Sequence, residues 1–168
     1  MSSPQPDGQS PLDPDRVASI GLLLSKLGTA VDRRLAAALE VVQLRPKHLG
    51  ALSVLGGHGA VSQQALGERL GVDASAVVAI VDDLEREGLA RRERDPRDRR
   101  RHAIQVTPAG ERVLARGYDA AGEVDDTMLA DLTAHEREQL LTLLLRVAGT
   151  DPGLDRLIRA GAIATPAR

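Results

Sequence analysis

The hydrophobic pattern of this chain changes period at Gly88, and few folds accommodate that change. Ahead of it, Ala65, Leu66 and Leu70, then Val77, Ile80, Val81 and Leu84, recur at the three- and four-residue spacing of helices. Beyond it, Leu89–Arg94 and His102–Val106 are short enough for strands, with Ile104 and Val106 on one face. Ser62 is placed to cap the first helix and Asp73 the second, with Gly71 as the tight turn between them. Gly88 stops the second helix. Short helix, turn, longer helix and two-stranded hairpin form a winged helix–turn–helix. The fold class expected is mainly α with a small β-hairpin.

Helical patterns flank this unit. Val17, Ile20, Leu24, Leu27, Val31, Leu35, Ala38 and Val42 give a first helix of about seven turns, starting near Asp15. Its apolar stripe needs a partner, either a second copy of the chain or a face of the same one. Pro46 fits the first turn of a second helix, with Leu49, Leu52 and Leu55 marking its buried side and "GGHG" at 56–59 ending it. Thr107-Pro108 starts a fifth helix, expected to reach about Leu132. "TAHE" at 133–136 is a capping box for a sixth helix running to about Ala148. "TDPG" breaks it, and an amphipathic piece with Leu154, Leu157 and Ile158 follows. The proline-rich residues 1–13 read as a disordered lead. The division expected is residues 14–43 as an N-terminal dimerisation helix, 44–116 as the winged helix–turn–helix and 117–165 as C-terminal dimerisation helices. Dimerisation helices thus flank the winged unit on both sides.

Composition narrows the function. There is no Phe or Trp and a single tyrosine, Tyr118, so bases of single-stranded nucleic acid have almost nothing to stack on. With no cysteine there is no disulfide framework and no thiolate nucleophile. No apolar run approaches the roughly 18 residues of a membrane span. The N-terminus lacks the basic and apolar regions of a secretory signal, so the expected location is cytoplasmic, with no membrane partner.

Charge points to double-stranded DNA. The net charge is −2, yet from Arg91 to His102 seven arginines face Glu93, Asp95 and Asp98, a local +4 that leaves −6 for the remainder. A basic footprint on an acidic body suits one edge meeting nucleic acid. The arginines crowd into "DPRDRRR", the tip of the expected hairpin. There Arg97, Arg99, Arg100 and Arg101 can reach phosphate or a narrow minor groove. The second helix of the pair can enter the major groove. Its candidate contacts are Ala74, Ser75, Ala76, Val78 and Ala79, with Ser62, Gln63 and Gln64 opening the first helix.

Residues 44–114, with "ALGERLGVDASAV" and "LEREGLARRERDPRDRRRHAIQVTPAG" as their most specific parts, resemble the MarR family of bacterial transcription regulators. The resemblance implies a homodimer with interlocked terminal helices, bound to pseudo-palindromic operator DNA. It also implies repression relieved by a small, commonly phenolic, effector. The family's Asp-x-Arg wing element falls here on Asp98 and Arg100: Asp98 would brace the hairpin while Arg100 or a neighbour enters the minor groove. The second helix departs from relatives, which often carry Gln, Arg, Thr or His where this chain has mostly alanine and valine. Thymine-methyl contacts and DNA shape would then carry more of the specificity.

Other chemistry finds little support. Histidines 48, 58, 102 and 135 are scattered, no HExxH occurs, and neither a metal nor another cofactor is expected. GxGxxG, P-loop and GxSxG motifs are absent, so no catalytic residue is assigned and the chain does not read as an enzyme. His48 with Leu52 could line a ligand cavity beneath the first helix, although a half-exposed helix histidine is the plainer reading. Tyr118 could stack on the same ligand or simply pack. The alternative to an operator reader is a winged-helix architectural or protein-interaction module without operator specificity.

Overall fold

The computed structural model describes residues 19–94 and 102–162. Helix α1 (Ile20–Glu40) leads into α2 (Pro46–His58), which has Pro46 in its first turn. A short strand β1 (Val61–Ser62) precedes α3 (Gln63–Leu70) and α4 (Ala74–Arg86). Strands β2 (Ala90–Arg94) and β3 (His102–Val106) follow, then α5 (Pro108–Met128), α6 (Ala134–Ala148) and α7 (Pro152–Arg159). The expectations for residues 1–13, for the start of the first helix near Asp15 with Val17, and for the hairpin tip lie outside the described residues.

The caps read from sequence are made. Ser62 accepts a bond from the Ala65 N–H, and Thr107 from that of Gly110. Thr133 and Glu136 form a complete capping box. Gly71 adopts φ 66°, the left-handed conformation that glycine reaches without a Cβ penalty, and so closes the α3–α4 turn.

The sheet is three-stranded, with order β1-β3-β2 and both pairings antiparallel. The hairpin expected from the pattern gains β1, where Val61 pairs with Ile104 and Ser62 with Ala103. Two residues carry no readable period, so only the partner strand defines β1. β3 is therefore central, and Ile104 is fully buried. The core joins Leu39, Leu44, Leu52 and Leu55 to Leu66, Val77, Val81, Leu84 and Ile104. Each such leucine contributes roughly 1.5–3 kcal/mol by leaving water.

Helix α5 is riveted to the hairpin. Thr107 Oγ1 donates to the Gly88 carbonyl at 2.7 Å, and the Thr107 N–H to that of Leu89 at 3.0 Å. A Cβ on Gly110 would stand 2.0 Å from the Leu89 carbonyl oxygen, so only glycine admits this approach. The helix ends at Met128 rather than Leu132, because Leu129 leaves the helical conformation and residues 129–132 turn into the Thr133 cap. Likewise α1 stops at Glu40, short of Val42, where Leu44 N–H folds back to the Leu39 carbonyl. No residue of α6 is buried, and α1 exposes Ile20, Leu22, Leu23, Leu24 and Leu27.

Candidate nucleic-acid interface

Helix α4 divides into two faces. Val77, Ile80, Val81 and Leu84 are buried, while Ala74, Ser75, Val78, Ala79 and Asp82 are exposed. Val78 is 43% exposed, a branched apolar group held in solvent. Ala76 is half-buried, and its N–H is occupied by Asp73 Oδ1 at 2.9 Å. The Ser75 hydroxyl donates to the same oxygen at 2.5 Å. That bond and the Ala76 N–H hold the Asp73 carboxyl below the usual carboxylate range. Ser75 thus presents a hydroxyl whose proton is already committed. At the start of α3, Ser62 is half-buried with its oxygen used as the cap, Gln63 is half-buried, and exposed Gln64 donates to Glu68 at 3.0 Å.

Ion pairs, joined on one side by a hydrogen bond from His48, tie α4 to α2 and to β2. On one side Asp83 receives Lys47 at 3.2 Å and His48 Nε2 at 3.3 Å, both from α2, and Arg86 at 2.9 Å. Bonds from Arg86 and Lys47 hold the Asp83 carboxyl down at about 2. On the other side Arg92 of β2 pairs with Glu85 and, at 2.7 Å, with Asp82. The Arg92 N–H also donates to Glu85 Oε1 at 2.6 Å.

Apart from His48, these residues were not singled out by sequence reasoning. The signal was there: "DDLE" at 82–85 puts three carboxylates on a helix expected from the sequence to approach DNA, so cations are called for to neutralise them. The pairing also corrects the charge reading. Arg92 belongs to this clamp, and Arg91 pairs with Glu93 at 2.9 Å, so neither adds free positive charge to the hairpin tip. Glu85 thus meets Arg92 across from β2.

The strands pair as far as Arg94 with His102, and Arg97, Asp98, Arg99, Arg100 and Arg101 lie outside the described residues. A cleft of about 490 Å³ opens between α3 and α4, bordered by Gln63, Gln64, Ala74, Val78 and, from α7, Arg156. His48, Leu52 and Tyr118 do not line it. His48 is 1% exposed instead of half-exposed, because its place on the Leu52–Leu55 stripe of α2 turns it into the core. Leu52 is fully buried, and half-buried Tyr118 donates its hydroxyl to Ser53 Oγ at 2.6 Å. Within the described residues no cluster of three potential metal ligands occurs, and no helix is long and apolar enough to cross a membrane.

A sequence profile described as MarR family matches residues 42–101. A putative transcriptional regulatory protein for the hcr operon of Thauera aromatica is 34% identical over 133 residues, covering 79% of this chain and 80% of that protein. The chain belongs to the MarR family. Its members are transcriptional regulators rather than enzymes, and the winged helix–turn–helix read from the sequence is theirs. The repressor CouR, solved on a 23-mer DNA duplex, is 29% identical with a TM-score of 0.70, covering 77% of this chain and 92% of CouR. CouR from Rhodococcus jostii RHA1, bound to p-coumaroyl-CoA, gives 25% and 0.66 over 89% of this chain and 96% of that one.

Proposed function

We propose that this MarR-family regulator is a homodimeric repressor acting in the cytoplasm. It reads a pseudo-palindromic operator in double-stranded DNA and releases it when a small effector binds. The observation that carries the reading is α4, whose exposed Ala74–Ser75 start and Val78–Ala79 ridge are flanked on both sides by ion pairs, Lys47–Asp83 and Arg92–Asp82. A helix so flanked fits the major groove, with the Val78 and Ala79 methyls available to thymine methyls. CouR on its duplex supports the DNA partner, and CouR with p-coumaroyl-CoA supports a small effector. Residues 44–116 would then bind DNA, and 14–43 with 117–165 would dimerise.

In the proposed wing Arg97, Arg99, Arg100 and Arg101 act through charge and groove shape while Asp98 braces the hairpin. Asp98→Ala therefore weakens binding although it removes a negative charge. A gain in affinity would reject the structured wing in favour of a merely electrostatic loop.

A footprint on the chain's own upstream region is expected to show two half-sites about 10 bp, or roughly 34 Å, apart. A second reading, a winged-helix module without operator specificity, is favoured by one observation: the Ser75 hydroxyl is spent on Asp73, leaving few donors for base edges. Binding to matched and scrambled duplexes across salt separates them. An operator reader keeps a large affinity ratio, and a non-specific module binds both alike.

A further inference from the structure

The short C-terminal helix α7 does not extend away with α6 but returns to the helix–turn–helix. Leu157 packs over Gly71 of the α3–α4 turn, where a Cβ would lie 3.7 Å from Leu157 Cδ2. Past the helix, Ala160 is buried and Ala162 packs against the core, its carbonyl beside Gly50 of α2. Ser53 of α2 donates to the Gly161 carbonyl while accepting from Tyr118 of α5, so one hydroxyl ties the tail to two helices. Asp151 caps the helix start through the Gly153 and Leu154 N–H groups. The placement of α7 is therefore built from packing and hydrogen bonds together.

That placement selects one side chain. Arg159 is ion-paired with Asp155 at 2.7 Å. Arg156 is exposed, makes no ion pair among the described residues, and borders the same cleft as Gln63, Gln64, Ala74 and Val78. Those four are candidate DNA contacts, Gln63, Gln64 and Ala74 at the starts of α3 and α4 and Val78 one turn further along α4. Directly beside them, an unpaired guanidinium would meet the strand of phosphates flanking the major groove that α4 enters, and guanidinium forks suit phosphate.

We propose that Arg156 is a DNA-backbone contact, so that α7 widens the DNA-binding surface of the winged helix–turn–helix beyond α3, α4 and the wing. This rests on the DNA-binding reading above. Such a contact positions the protein on the duplex and carries no base preference.

The test is fluorescence anisotropy of the full chain with a mixed-sequence duplex of about 30 bp, between about 50 and 200 mM KCl. A phosphate contact contributes about 0.9 to the log–log salt slope, so Arg156→Ala is expected to flatten it by about one. The wild-type to variant affinity ratio then narrows about 3.5-fold across that salt range. Arg156→Lys keeps the slope, and so does Arg159→Ala. A wild-type slope in Arg156→Ala, or equal flattening by Arg159→Ala, overturns the contact while leaving DNA binding standing. Absence of salt-dependent binding by the wild type both to this duplex and to a duplex from the chain's own upstream region overturns the DNA-binding reading itself, and this inference with it.

Discussion

His48 carries the least comfortable side chain in the core. Its Nε2–H reaches Asp83, but buried Nδ1 has no hydrogen-bond partner among the described residues. Burial first, and then the positive charge of Lys47, push its pKa below the ordinary 6.5, against the opposing pull of Asp83 and Glu87. The folded chain thus prefers neutral His48, whereas the unfolded chain takes up a proton near 6.5. Its contribution is full above that pH and is lost as pH falls below it. The Asp83 contribution has a separate window, lost only as pH falls from 3.8 toward about 2. Thermal unfolding is therefore expected to show a falling Tm between about pH 7 and 5, and His48→Gln should flatten that fall. An equally steep fall in the variant would remove His48 from the account. The burial was legible in part, since His48, Leu52 and Leu55 share one helical stripe. What the pattern lacked was Asp83, 35 residues away, which makes a buried imidazole tolerable.

Helix α4 shows the same division between local and distant causes. Its start, stop and buried face follow from Asp73, Gly88 and the Val77–Leu84 spacing, because caps and periodicity act within a few residues. Strand β1 was invisible for the opposite reason: its two residues are a strand only because Ile104 and Ala103 lie alongside. The Arg92 clamp likewise depends on β2 folding back on α4. Removing Arg92 leaves Asp82 and Glu85 unneutralised on a helix proposed to approach phosphate. Arg92→Ala is thus expected to reduce DNA affinity several-fold, acting through α4 rather than by touching the duplex. It should also cost about 1 kcal/mol of stability, a modest figure because all three side chains are partly exposed. Urea titration and anisotropy measure the two effects, and a double-mutant cycle with Glu85→Ala should give non-zero coupling. Independent, additive losses would mean that the pair does not hold the helix.

Among the described residues, α1 and α6 each leave an apolar face in water. On α1, Ile20 is 74% exposed and Leu22 and Leu23 are more than half exposed. On α6, Leu143 is 54% and Val147 56% exposed, and Leu141, Leu144 and Leu145 are exposed beside them. A single copy rarely tolerates contiguous apolar surface of this kind, and a two-fold partner burying both faces is the simplest remedy. The first-helix stripe was legible as one needing a partner, but periodicity could not say whether the partner was the same chain. The fold answers only for the second half of α1, where Leu35 and Leu39 pack into the core and the first half does not. Light scattering at micromolar concentration is therefore expected to give twice the 17.8 kDa chain mass. Replacing Leu143 and Leu144 together by Glu should shift it toward one chain without unfolding the winged helix, because neither side chain belongs to the core. DNA affinity should fall in the same variant, since two half-sites bound by linked subunits gain an effective concentration that separate chains lack. A wild-type mass of one chain would refute the dimer. A monomeric Leu143→Glu/Leu144→Glu variant with undiminished affinity would show that α6 dimerises the chain for some purpose other than DNA binding.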